Sequence, residues 1–143
     1  MESDEGLVAL IILLDQFGRN IHRDTPRMYE GDAKALGFTR EAIASGRVDT
    51  LPLYQRLWFS LVLQRAEDTE VAAESVAFAE ALAAAAASTP SQVFYERSAQ
   101  AAHEQAELCN RFGRYPNRNE ILDRESTEDE VAYLTSDEVF YST

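Results

Sequence analysis

The sequence predicts an all-α fold of antiparallel helical hairpins, either a bundle or a right-handed stack of helix pairs, with about five main helices. Three observations predict it. Apolar residues recur at three- and four-residue spacing over stretches of roughly 12 to 22 residues. Proline and glycine (Pro26, Gly46, Pro52, Pro90, Gly113 and Pro116) punctuate the boundaries between those stretches. No stretch alternates in the manner of a strand pair.

The first helix is built on the run LVALIILLDQF, apolar on every side, which predicts a helix buried all round. Ser3 or Asp4 can cap its start, and the chain leaves helix before Pro26. Asp32 is suited to cap a second helix over 33–45, stopped by Gly46. Pro52 reads as the first residue of a third, with Tyr54, Leu57, Trp58, Leu61 and Val62 as its core-facing stripe. A fourth starts at the capping residues Asp68 and Thr69 and runs through Val71, Ser75, Phe78 and Leu82 into an alanine run at 83–87, a composition suited to close helix packing. Thr89 and Pro90 open the fifth, whose predicted stripe is Phe94, Ala101, Leu108 and Phe112 and whose end is Gly113. Pro116 begins a short turn around Ile121 and Leu122, and Thr127 with Glu130 has the capping-box spacing for a last short helix through Val131 and Leu134. The acidic end, SDEVFYST, is read as a segment that docks or frays.

A chain of 143 residues with 45% hydrophobic and 27% charged side chains predicts one globular domain over 1–143. The excess of 25 acidic over 13 basic residues, a net charge of -12, repels phosphate backbones and anionic lipid, so neither nucleic acid nor membrane is an expected partner. The apolar run at 7–14 is far shorter than the ~20 residues of a membrane span. Cys109 is the only cysteine, which excludes an internal disulfide and a multi-cysteine zinc site and fits a reducing, cytoplasmic location. His22 and His103 lack metal-ligand spacing, and the phosphate-cradling glycine patterns and the nucleophile elbow are missing, so no metal, cofactor or standard catalytic motif is expected.

Two polar clusters are the candidate ligand-binding residues. In LDQFGRNIHRDTPR, Asp15 and Arg19 form an i, i+4 pair on an otherwise apolar helix, followed by Asn20 and Arg23. In RFGRYPNRNEIL, Arg111, Arg114, Arg118 and Asn119 surround a sharp turn, in a chain that is strongly acidic elsewhere. Guanidinium groups suit bidentate capture of a carboxylate or phosphate, and equally suit pairing with neighbouring acids in an internal ion-pair network. Helix C-termini favour cations even without a ligand. The two clusters are candidates for opposite walls of one cleft. Gln105, polar on an apolar stripe, needs partners or a cavity if buried.

LIILLDQFGRNIHRDTPRMYEGDAKAL, Glu67 with Asp68, and RFGRYPNRNEILDRESTEDEVAYL together resemble a family of mostly bacterial proteins, domain of unknown function nine-two-four. The resemblance spans 7–134 and implies a tetratricopeptide-like all-helical fold without implying a reaction. The chain departs from the family pattern at Gly18, where proline is usual, and at Arg65, Gln105 and Asn117, where histidine is common. It also begins just before the first helix, without the N-terminal helices typical of the family, so that helix is expected to be covered by self-association into a homo-oligomer. The leading functional expectation is a binding or interaction protein for a small anion or peptide. Next comes an enzyme on a small anionic substrate, with Asp15 or Glu67 as its acid or base. A purely structural homo-oligomer is the third.

Overall fold

A computed structural model describes residues 3–139. Helix α1 (Asp4–Ile12) continues through a π turn (Leu13–Phe17) into the short α2 (Gly18–Ile21). A 3-10 turn (Pro26–Tyr29) leads to α3 (Asp32–Ala44), and a second (Arg47–Thr50) to α4 (Leu53–Gln64). Then follow α5 (Thr69–Ala85), α6 (Gln92–Phe112), a third 3-10 turn (Pro116–Arg118) and α7 (Glu128–Leu134). No strand occurs among the described residues, and none of their helices is long and apolar enough to cross a membrane. The all-α class read from the sequence is the one observed.

Short connections join helices that pack on one another: α3 on α4, α4 on α5, and, most extensively, α5 on α6, while α1 lies against α3 and α4. The core follows this order. Leu7, Val8 and Ile11 of α1 meet Ala35, Ala42, Phe59 and Val62, and at the other end Ala72, Ala106, Cys109, Tyr115 and Tyr133 form a second cluster. Between them Ala79 of α5 packs against Ala99 and Ala102 of α6, so close approach rests on spaced alanines. Of the alanine run itself, Ala86 is buried and Ala84, Ala85 and Ala87 are exposed.

The caps explain most helix starts. The Ser3 hydroxyl accepts from the Gly6 amide at 3.0 Å, Asp68 accepts from the Glu70 and Val71 amides, and Thr127 with Glu130 closes the capping box. Gly113 ends α6 at φ +71°, a left-handed conformation that glycine adopts without strain, and its amide returns to the Cys109 carbonyl at 2.8 Å.

Five expectations are corrected. The first helix is buried on one side alone: Leu13, Phe17 and Ile21 are exposed, because neighbours pack only against the Leu7, Val8 and Ile11 face. Asp32 does not cap α3; Gly31 occupies that position, and the Asp32 carboxylate is held by Arg19 instead. In α4, Tyr54 is exposed while Phe59, Val62 and Leu63 are buried, and in α6, Phe94 is exposed while Tyr95, Ala99 and Ala102 are buried. Ser91 rather than Thr89 precedes α6 as its cap residue.

Candidate functional site

Asp15 and Arg19 both point inward behind Ile11, although over eight residues a regular α-helix would have turned its face by about 80°. The π turn holding Asp15 takes up that rotation, and such turns recur at functional sites. Two glycines let the following chain close over it. A side chain at Gly31 would run into the Leu14 carbonyl oxygen, and one at Gly18 would come within 2.9 Å of the Met28 carbonyl oxygen. The start of α3 therefore lies directly against the π turn. There Asp32 receives both terminal nitrogens of Arg19, at 2.7 and 2.8 Å, while Arg19 also donates to the Asp15 carbonyl at 2.9 Å.

The opposite wall comes from far along the chain. Tyr115 donates its hydroxyl to the Gln64 carbonyl at 2.7 Å and its amide to Glu67 at 2.7 Å, which fastens the 3-10 turn Pro116–Arg118 to the end of α4. Arg124 completes this attachment by gripping both oxygens of Glu67, at 2.8 and 2.9 Å. Burial pushes the Glu67 carboxyl up, but the Arg124 hydrogen bond and the Tyr115 amide outweigh it and hold its pKa below the ordinary value. Burial likewise raises the Tyr115 hydroxyl.

Between the walls lies a cavity of about 320 Å³. Asp15, Tyr29, Asp32, Arg65, Glu67 and Arg118 supply its polar surface; Ala33, Ala35, Leu36, Val62, Ala66 and Leu122 supply an apolar one. Arg65 sets its Nε 2.7 Å from an Asp15 oxygen, and burial with the nearby Arg19 and Arg118 lowers its pKa to about 10, which leaves it charged at neutral pH. Arg118 is 3% exposed and sits between the rings of Tyr29 and Tyr115, its guanidinium carbon 4.7 and 4.9 Å from their centroids. One terminal nitrogen donates to the Arg65 carbonyl at 3.0 Å and the other is 3.8 Å from Asp32. Its buried Nε has no hydrogen-bond partner among the described residues. Burial lowers the pKa of Arg118, with Glu67 and Asp32 opposing that shift.

A second cavity, also about 320 Å³, adjoins the first across Tyr29 and Arg65. Its walls include Gln16, Arg19, Asn20, Arg23 and Asn117. Thus the eight candidate residues divide. Asp15, Arg19 and Arg118 converge on one charged cluster. Asn20, bonded to the Gln16 carbonyl at 2.8 Å, and the exposed Arg23 line the neighbouring cavity. Arg114 clasps Glu130 through two nitrogens at 2.7 and 2.8 Å. Asn119 is buried between Ser126, Glu130 and Arg124, turned away from the cavity. Arg111 is elsewhere, exposed over the Phe112 ring in a separate recess with Glu104 and Glu107.

Of the residues that complete the cluster, Asp32 has a local explanation as a cap, Arg124 closes the arginine-rich stretch that begins at Arg111, and Tyr29 carries no signal of its own. Arg65 was marked by its departure from a common family histidine, and Glu67 by its chemistry. Only the spatial proximity of distant segments reveals their common site.

A family model described as bacterial protein of unknown function (DUF924) matches residues 1–138. Among solved structures, the chain is similar to a protein of unknown function from Agrobacterium tumefaciens, with 34% identity and a TM-score of 0.78, over 94% of this chain and 69% of that one. No curated protein matches.

Proposed function

The chain belongs to the DUF924 family of bacterial proteins, and since that membership brings no reaction with it, we propose from the site alone that this is a helical binding protein whose cavity holds a small anion. The observation that carries the reading is Arg118: a buried guanidinium at the cavity wall whose Nε has no acceptor. An unsatisfied buried donor costs about 1–3 kcal/mol or more, a cost that an anion would remove once the side chains covering the Nε move aside to admit it.

The carboxylates favour binding over acid–base catalysis. Asp15 is engaged by Arg65 on one oxygen and by Gln16, at 2.5 Å, on the other, and both oxygens of Glu67 are held by Arg124. Every oxygen of the two carboxylates already faces a donor of the protein itself, so a substrate would have to compete for it. A tetratricopeptide-like stacking of the hairpins and a cytoplasmic location belong to the same proposal, supported by the run of packed consecutive helices and the lone buried cysteine.

A thermal-shift series with acetate, phosphate and nucleotides tests the anion reading. The protein is expected to be stabilised by at least one anion, and Arg118→Ala, checked for folding by circular dichroism, to lose that response. An unchanged response in the folded variant would move the anion away from Arg118.

A second reading rests on another observation. Leu13, Phe17 and Ile21, spaced four apart, form an exposed apolar stripe, which favours a homo-oligomer joined through the first helical segment.

A further inference from the structure

We infer that the second cavity, across Tyr29 and Arg65 from the first, is a binding site for a small phosphate monoester, its phosphoryl group received by Arg19, Arg23 and Arg65 with the amides of Asn20 and Asn117. This site is separate from the Arg118 reading, and either can stand without the other.

The division of charge between the two cavities comes first. The lining of the second holds three guanidinium groups, Arg19, Arg23 and Arg65, and one carboxylate, Asp24. The acids that engage Arg19 and Arg65, Asp32 and Asp15 respectively, line the first cavity and not the second. Those acids offset the two arginines without abolishing their mutual repulsion: the Arg65 pKa, lowered chiefly by burial, is lowered further by the charge of Arg19. An anion beside both relieves that repulsion. Arg19 and Arg65 are 6% and 12% exposed, so water screens them little, whereas Asp24 is exposed and screened. Arg23 is exposed at the same cavity and makes no ion pair among the described residues.

The placement of the donors sets the head group. They reach the space from three segments: Arg19, Asn20 and Arg23 from α2 and the turn after it, Arg65 from the end of α4, and Asn117 from the 3-10 turn before Asn119. The Asn20 amide gives one N–H to the Gln16 carbonyl and carries a second. A planar carboxylate matches a single guanidinium fork, while a tetrahedral phosphoryl group turns three oxygens in different directions and accepts from several sides at once. The rest of the wall sets the guest's other end. Met28, Ile121 and the Tyr29 ring add apolar surface, and about 320 Å³ is more than a phosphoryl group alone fills, which leaves space for a small organic group. The net charge of -12 repels a polyanion, so the guest is a small molecule rather than a nucleic acid.

Calorimetric titration of the whole protein with glycerol 3-phosphate, inorganic phosphate, acetate and glycerol tests the assignment. Glycerol 3-phosphate is expected to bind most tightly, inorganic phosphate next, acetate weakly and glycerol not at all. Arg23→Gln is expected to weaken glycerol 3-phosphate about fivefold. Arg27→Gln, which removes an equally charged side chain that is 62% exposed and paired with Glu30 away from the cavity, is expected to leave the affinity unchanged. Equal losses in the two variants would reduce the binding to general surface charge and overturn the site. Acetate as tight as phosphate would overturn the phosphoryl assignment, and inorganic phosphate as tight as the ester would overturn the monoester. Phosphate binding lost in folded Arg118→Ala and kept in Arg23→Gln would move the anion to the first cavity, overturning this site while the Arg118 reading stands. No heat with either phosphate would overturn it outright.

Discussion

Glu130 shows how much one side chain gathers. It receives two nitrogens of Arg114, the Asn119 amide and the Thr127 backbone N–H, and these donors, Arg114 first, bring its pKa down to about 2. A carboxyl depressed on folding stabilises the native state above its unfolded pKa of about 4.5 and loses that contribution as the pH falls toward 2. Denaturant unfolding is thus expected to show a loss of up to about 3 kcal/mol between pH 6 and pH 2 attributable to this group. Glu130→Gln should flatten that part of the profile; an unaltered profile in the variant would assign the acid sensitivity elsewhere. The Asp15–Arg19 pair was legible in the sequence because four residues on a helix are one turn. The pairs Arg19–Asp32, Arg118–Arg65 and Arg124–Glu67 are 13, 53 and 57 residues apart, and no local pattern announces them.

Among the elements, helix starts were legible wherever a side chain served its own amides, as at Ser3, Asp68 and Thr127. The prediction failed at Asp32 because an arginine on another segment competes for the same carboxylate, and a charge-assisted bidentate pair is the stronger attraction. Facing was less legible than position. In α6 the adjacent Phe94 and Tyr95 are both apolar enough for the core, and only the alanines beyond them decide that Tyr95 turns inward. The contact between the π turn and α3 is set by Gly31, where a methyl group meets the backbone of Leu14, a group that cannot swing away. Gly31→Ala is expected to lower stability by about 1–3 kcal/mol, read by thermal or chemical unfolding, and to weaken anion binding as Asp32 withdraws from Arg19. Stability and affinity both equal to the parent would show that the two elements separate without consequence.

For the whole molecule, composition and periodicity sufficed for the fold class, since long apolar-periodic runs bounded by proline and glycine leave few alternatives to packed helices. They could not say which face of the first helix is covered, because a run apolar on all sides carries no direction. The remaining stripe of Leu13, Phe17 and Ile21 is where the oligomer reading is tested. Light scattering over a micromolar concentration series is expected to show mass rising above that of one chain, and Phe17→Glu to return it to the monomer. A monomer throughout would sink that reading.

The clasp of Tyr115 and Arg124 on residues 64–67 also fixes when the cavity can exist. During synthesis from the N-terminus, the π turn, α3 and α4 emerge first, carrying Asp15, Arg19, Asp32 and Arg65 without their opposite wall. The wall arrives only when Arg124 has left the ribosome and a loop of more than fifty residues has closed, which makes the cavity a late product of folding. A nascent chain halted before that point would already be helical and still be unable to hold a guest.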